Sequence, residues 1–257
     1  MTPINRMTPE EQKSVTDRRS TTTRRRTLSV SFRKALFALF RFPWKRRLKD
    51  RAASLGGDPG LNYWRRRVEA YGRRAAVHLG HPENEYDALR DTQWAQIAPW
   101  LRREVRPEEK LAVDFGCGPG RFTKDLAGLL NGRAIGVDPM ETLLRLAPTD
   151  HGVQYVVMPE GQIPLSSRSV DVLWSCLVLG GIQAEPLKQT LAEMDRVLRK
   201  DGLLFLVENT SRRPSAHYWT FRSTSEYQIL CTFAELRHLH TFEDLGEQIS
   251  IMAGRKR

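Results

Sequence analysis

From Lys110 onward the sequence alternates between two periodicities. Apolar runs of strand length, LAVDF (111–115), RAIGVD (133–138), VQYVVM (153–158), VDVLWS (170–175) and GLLFLVEN (202–209), are interleaved with helical patterns, RFTKDLAGLL, METLLRLA and EPLKQTLAEMDRVLRK. No other feature constrains the fold as strongly. Short apolar strands joined through helices cross over right-handedly and build a mainly parallel sheet covered on both faces. The expected class is α/β, a Rossmann-like doubly wound sheet. Gly202, in RKDG behind the last of these helices, is expected to cap it. The tail offers a short helix near Ser225 and two strands, ELRHLHTF and QISIMAG, which should add a C-terminal antiparallel strand.

Upstream of Lys110 the pattern is helical. After a turn-rich linker, SLGGDPG, the stretches LNYWRRRVEAYGRRAAVHLG and NEYDALRDTQWAQIAPWLRREV both read as helices. Tyr63, Trp64, Val68 and Tyr71 recur at helical spacing, as do Leu89, Trp94, Ile97, Ala98 and Leu101. Pro107 closes this N-terminal helical extension. The expected organisation is a basic arm over 1–51, a helical lead-in or cap over 52–109, and the α/β domain over 110–257.

The charge is confined to the arm. The first 51 residues hold 15 Lys and Arg against 4 Asp and Glu, an excess of 11 that equals the +11 of the whole chain. Residues 52–257 are therefore balanced, which argues against a nucleic-acid-gripping face on the domain. Residues 1–27 are polar and Arg/Thr/Ser-rich, a composition read as disordered. In 28–51 the pattern changes. Read as a helix, it places Phe32, Ala35, Leu36, Leu39 and Phe40 on one face, with Arg33, Lys34, Arg41 and Lys45 mostly on the other. Phe37 interrupts the pattern, and Pro43 should end or kink the helix. A basic amphipathic segment of this kind suits an anionic membrane surface; a helix docked on the domain, or a solvated tail, are the alternatives. The charges break the apolar region that a secretory signal needs, while the Arg and Ser content resembles a mitochondrial presequence in composition only. The sequence has no apolar run long enough to span a membrane. The three cysteines, Cys117, Cys176 and Cys231, form no CxxC pair and are odd in number. That argues against disulfides and a zinc or other metal site, and for a reducing, cytoplasmic setting.

In an open parallel sheet the ligand lies beyond the carboxyl ends of the strands. The first strand runs directly into Gly116-Cys117-Gly118-Pro119-Gly120, where glycine lets the backbone turn sharply and present bare N–H groups. The second strand ends at Asp138, 18 positions after Gly120, well placed to accept both hydroxyls of a ribose. Dinucleotides and nucleosides both use such a carboxylate. A pyrophosphate, however, needs GxGxxG with a helix N-terminus aimed at it. Here the loop is GxGxG preceded by Asp114, which repels phosphate and favours an ammonium. A ligand with a ribose and an ammonium but no phosphate fits, and S-adenosyl-L-methionine is one.

At these residues the chain resembles the class I S-adenosylmethionine-dependent methyltransferases, small-domain type 11-like. The resemblance covers about residues 110–208. VDFGCGPGRF looks like the first motif of that family and GVDPM like its second, which implies Asp138 on the ribose and Met140 on the adenine. Where the family reads acidic-Ala-x-x-Leu-Pro this chain has MPEGQIPL, leaving Glu160 and Gln162 as candidates for the adenine amino group. SVDVLWSCLVLGGI matches the fourth strand, with Ser175 at its end, and EMDRVLRKDGLLFLVEN the helix and strand that follow. The implied donor set is Asp114, Gly116, Cys117, Gly118, Gly120, Asp138, Met140, Glu160, Gln162 and Ser175.

The acceptor side is less marked. SCLVLGG, after the fourth strand, carries no His or carboxylate and no Asn-Pro-Pro-Tyr-like tetrapeptide. Polar candidates follow the fifth strand: Glu208 at its end, then His217 as a general base, with Tyr218, Trp219, Arg222 and Tyr227 around a polar acceptor. The same segment also reads as an aromatic-anchored surface helix. Tyr63, Trp64 and Arg67 are secondary lid candidates. The function expected is methyl transfer to a small-molecule, glycan or lipid-type acceptor, with the arm near a membrane. The alternatives are an RNA or protein methyltransferase, an inactive donor-binding partner subunit and, more remotely, a dinucleotide oxidoreductase.

Overall fold

The computed structural model describes residues 60–257 except Glu160 and His217; the basic arm and most of the linker lie outside the described residues. The lead-in comprises α1 (Leu61–Tyr71), 3-10 turns at Gly72–Ala76 and Glu83–Glu85, and α2 (Tyr86–Glu104). Then come β1 (Leu111–Phe115), α3 (Thr123–Leu130), β2 (Arg133–Asp138), α4 (Glu141–Leu144), β3 (Val153–Val157) and β4 (Val170–Cys176). A 3-10 turn (Leu179–Gly181), α5 (Ala184–Val197), β5 (Leu198–Asn209), α6 (Thr224–Leu230), β6 (Arg237–Asp244) and β7 (Glu247–Arg255) complete the chain.

The seven strands form one sheet in the order β3-β2-β1-β4-β5-β7-β6. β1 pairs in parallel with β2 and β4, β2 with β3, and β4 with β5, whereas β7 runs antiparallel to both its neighbours. The strand residues alternate between two cores. Ala112, Val172, Trp174, Phe205 and Val207 pack with Ile97 and Leu101 of α2 and Leu126 of α3. Val113, Leu173, Leu204 and Leu206 pack on the opposite face with Leu187, Leu191 and Met194 of α5 and Tyr227 of α6. Because both faces are covered, the strands read as continuous apolar runs rather than as alternating ones. α6 starts at Thr224, held by a capping box between Ser223 and Glu226.

Two local expectations are corrected. The first lead-in helix stops at Tyr71 instead of running to residue 80, because Gly72 turns left-handed at φ 54°. Gly202 does not cap α5. That helix ends at Val197 with Leu198 already extended, and the left-handed residue is Asp201, at φ 59°. Gly202 sits within β5, where the β4–β5 register shifts between Val170 and Val172. A Cβ there would come 2.9 Å from the Arg199 carbonyl oxygen and 3.0 Å from that of Asp171.

The end of the sheet opposite the strand carboxyl termini is tied by a buried acid. Glu109, fully buried, accepts the Arg106 N–H at 2.8 Å and pairs with Arg255 at the end of β7. Arg199, near the start of β5, approaches it at 3.7 Å. One carboxylate thus joins the segment entering β1 to both later strands. Glu109→Ala removes the carboxylate partner of Arg255, while Arg199 keeps Asp171 at 2.6 Å, and should cost about 1–3 kcal/mol in urea unfolding, the range for a hydrogen bond to a charged group. Glu109→Met with Arg255→Met should recover most of that loss, and a single variant of wild-type stability would contradict this reading.

Candidate active site

The strand order reverses at β1, between β2 on one side and β4 on the other, which puts the crevice above their carboxyl ends. The loop leaving β1 is anchored at once: the N–H groups of Gly116 and Cys117 both donate to the Val137 carbonyl, at 2.8 and 3.2 Å. Gly116, Gly118 and Gly120 all have left-handed φ, 69°, 55° and 69°. Space makes the same demand, since a Cβ on Gly116 would lie 2.6 Å from the Val178 side chain and one on Gly120 2.5 Å from the Tyr155 hydroxyl. The loop must therefore present bare backbone. The Cys117 thiol is buried, and burial pushes its pKa well above the ordinary range. Its sulfur fills the space beside Gly136 of β2.

Asp138, buried at the end of β2, accepts the N–H of Gly118 at 2.9 Å on one oxygen and that of Met140 at 2.7 Å on the other. Burial lifts its pKa to about 6 against these two bonds, which lower it. Asp114, the fourth residue of β1, accepts the Thr123 hydroxyl at 2.7 Å. Burial is again the largest effect and raises it to about 7; Thr123 lowers it, Asp138 raises it, and Arg121 lowers it. The Ser175 hydroxyl, at the end of β4, is buried with no hydrogen-bond partner among the described residues. Met140 packs with Val68, Ala75 and Leu143, so α1 and the turn after it close over the glycine loop. Arg67 stiffens that cover, donating to the Ala75 and Val77 carbonyls at 3.0 and 3.2 Å and to the Tyr63 hydroxyl at 3.2 Å. Gln162 is exposed beyond β3, and Glu160 lies outside the described residues.

The expected acceptor residues divide into two groups. Glu208, Arg222 and Tyr227 are buried beneath the loop that follows β4, so their side chains do not face an open site as expected. The Glu208 carboxylate accepts the N–H groups of Val178 (3.1 Å), Leu179 (2.8 Å) and Gly180 (3.3 Å), together with the Tyr227 hydroxyl (3.3 Å). Burial raises this acid to about 7, and the backbone donors lower it. Arg222 donates to the Leu179 carbonyl at 3.0 Å. Tyr218 and Trp219 lie on the other side of that loop. The Tyr218 ring stacks on Tyr63 at 4.4 Å, and Tyr63 meets Trp64 edge-on at 5.3 Å. Trp219 packs on Gly180, Trp64 on Gly181, and the Trp64 indole N–H reaches the Gly181 carbonyl at 3.4 Å. A side chain on either glycine would overlap an indole. His217 lies outside the described residues. Sequence reasoning passed over Arg121, Thr123, Tyr155 and the Gly180-Gly181 pair; of these only Arg121, directly behind the third glycine, carried a positional signal.

A family model described as a methyltransferase domain matches residues 113–206. Among solved structures, the chain is similar to YcgJ from Bacillus subtilis (13% identity, 63% of this chain and 98% of that one, TM-score 0.55). It is also similar to a SAM-dependent methyltransferase from Aquifex aeolicus (17%, 68% and 98%, 0.52). A third is phosphoethanolamine N-methyltransferase 2 from Haemonchus contortus, determined with S-adenosyl-L-methionine (13%, 63% and 52%, 0.53). Among curated proteins none matches the sequence. The fold and the matched domain are those of the class I methyltransferases. Residues 113–206 form a methyltransferase domain, and the fold is one shared with methyltransferases that use S-adenosylmethionine as methyl donor. The residues present suit that donor: a bare-backbone loop, a buried carboxylate on each of β1 and β2, and an unpartnered hydroxyl at the end of β4.

A pH dependence follows. A carboxylate holds an ammonium, or accepts hydroxyls, best when ionised, and Asp114, the candidate for the ammonium, and Asp138, the candidate for the ribose hydroxyls, ionise only as pH rises through about 7 and about 6. Both folded values lie above the unfolded ones. The stability these acids contribute to the ligand-free protein is therefore complete at low pH and lost as pH rises through that window. The rise in melting temperature caused by S-adenosylhomocysteine should accordingly grow from pH 5.5 to pH 8 and then level off. An increment that is flat or falls with pH would contradict these two assignments.

Proposed function

We propose that the chain methylates a small-molecule, glycan or lipid-type acceptor that enters over the loop between β4 and α5. The observation that carries this reading is the aromatic cluster on that loop. Tyr63, Trp64, Tyr218 and Trp219 gather around the Gly180-Gly181 backbone, while the nearby acid Glu208 is already committed to three N–H groups. Aromatic faces with a few polar edges suit a compact, partly apolar ligand. The balanced charge of residues 52–257 supports the same choice over a polyanion.

When bound, S-adenosylmethionine supplies a methyl group on a sulfonium, already activated for displacement by an acceptor lone pair. What remains for this chain is alignment and exclusion of water. In this reading Asp138 holds the ribose hydroxyls and Asp114 the ammonium, and the glycine N–H groups line the loop. α1 and the Gly72–Ala76 turn cover it. His217 is the residue we assign to take a proton from a hydroxyl acceptor. Residues 28–51 form the contact with an anionic membrane surface and place the enzyme, peripherally, beside a membrane-borne acceptor. Among the described residues no helix is long and apolar enough to cross a membrane.

Incubating methyl-labelled donor with fractionated lysate tests this. Label should enter the lipid, small-molecule or polysaccharide fractions. Removing residues 1–51 should leave donor binding intact but reduce labelling of membrane-borne acceptor roughly tenfold or more, since each basic residue at an anionic surface contributes about 1 kcal/mol. Label recovered in RNA or protein would overturn the acceptor class.

A further inference from the structure

The β6–β7 hairpin turns on a residue that does not suit its turn. Leu245 and Gly246, the two residues between the strands, both have left-handed φ, 51° and 78°. A two-residue loop of that form favours Asn, Asp or Gly, and a leucine Cβ is disfavoured there. Leu245 is also 44% exposed. Neither turn chemistry nor burial accounts for a leucine. Its contact does, since a Cβ on Gly80 would lie 2.5 Å from the Leu245 Cδ1 methyl, so the leucine packs directly on the bare Gly80 backbone. The neighbouring residues meet as well. His81 Nε2 lies 2.8 Å from one oxygen of Asp244, and Gln93 of α2 donates to the other at 3.0 Å. Water reaches little of that pair, whose side chains are 14% and 15% exposed. The hairpin tip thus grips two successive residues of the lead-in.

Those two residues are tied to the part of the lead-in that covers the glycine loop. α1 and the Gly72–Ala76 turn pack Val68 and Ala75 against Met140 and Leu143. The Ala76 methyl comes within 3.3 Å of where a Cβ on Gly118 would stand. Arg67 binds α1 to the turn through the Ala75 and Val77 carbonyls, and Arg74 carries the link onward by donating to the His81 carbonyl at 2.9 Å. The cover is therefore joined as one piece from α1 to His81. Gly72 is the exception. It is left-handed at φ 54°, with open space where its Cβ would be, so the backbone can swing there without meeting a neighbour.

We propose that the β6–β7 hairpin tip is a latch that holds the lead-in closed over the glycine loop, and that release of Leu245 from Gly80 and of Asp244 from His81 sets how fast a ligand of that loop enters and leaves. This rests on the donor reading of the loop. Leu245, Asp244 and His81 act through the cover and are positioning residues. The latch contacts are the same with the loop empty or filled, so loosening them changes both rates together and leaves the equilibrium where it was. Leu245→Asn separates a latch from a scaffold. It supplies the Asn-Gly pair that the turn favours, and it removes the apolar contact with Gly80.

The test is stopped-flow binding of S-adenosylhomocysteine to the full chain. Leu245→Asn and His81→Gln should each speed association and dissociation by about 2- to 10-fold with Kd held within about twofold, the scale of one small apolar contact or one part-exposed pair. Leu245→Asn should melt at or above the temperature of the unaltered protein. In the unaltered protein, S-adenosylhomocysteine should slow amide hydrogen exchange over residues 72–81. Unchanged rates in both variants would overturn the proposal. A Kd weakened through faster dissociation alone would make these residues part of the binding scaffold and overturn it too. So would exchange over 72–81 that the ligand does not slow, a result that needs no variant. Failure of the unaltered protein to bind S-adenosylhomocysteine would instead overturn the donor reading, and the latch with it.

Discussion

The bond from the Gly118 N–H to Asp138, 2.9 Å long, joins the loop leaving β1 to the end of β2. Much of the upper surface depends on it. A loop with three left-handed glycines has no intrinsic reason to hold one shape, because glycine loses more conformational freedom on ordering than any other residue. Two tethers fix it: the Val137 carbonyl, which receives the first two N–H groups, and the Asp138 carboxylate, which receives that of Gly118. Burying Asp138 is unfavourable for its charge, and the two backbone donors offset part of that. The same carboxylate that shapes the loop is the one we propose for the donor's ribose, so in that reading loop geometry and ligand site are set together.

Glu208 applies the same principle on the other side of the crevice. Its carboxylate gathers three successive N–H groups of the loop after β4, and Arg222 takes the Leu179 carbonyl. Trp64 and Trp219 press on the adjoining glycines from outside. The loop after β4 carries no His or carboxylate, and its shape is imposed by residues from the lead-in and from the segment after β5. α1 therefore reaches both loops: Val68 is in the cluster with Met140 and Ala75 that covers the glycine loop, and Trp64 lies against the loop after β4.

The sheet was legible in the sequence because its strands are covered on both faces and so appear as unbroken apolar runs. β1 and β2 have the bounds expected of LAVDF and RAIGVD. The glycine loop and Asp138 were legible because spacing along one βαβ unit places them together. What depends on long-range contact was not. Gly202 follows a helix as a cap would, yet its role comes from carbonyl groups packed against it in the sheet. Glu208 was correctly placed at a strand end, but its direction is set by N–H groups thirty residues away. The stacking of Tyr63 on Tyr218 joins the two ends of the domain, and no periodicity announces it. Arg121 reads as one more basic residue until its burial is known.

The central claim is that the β1 glycine loop and the β2 carboxylate form the donor site, and titration of S-adenosylhomocysteine into the protein and into Asp138→Ala tests it most directly. The unaltered protein should bind, and the variant should bind about 100-fold more weakly, as expected when a buried carboxylate that accepts two hydroxyls is removed. Equal affinities would place the donor elsewhere and contradict the account.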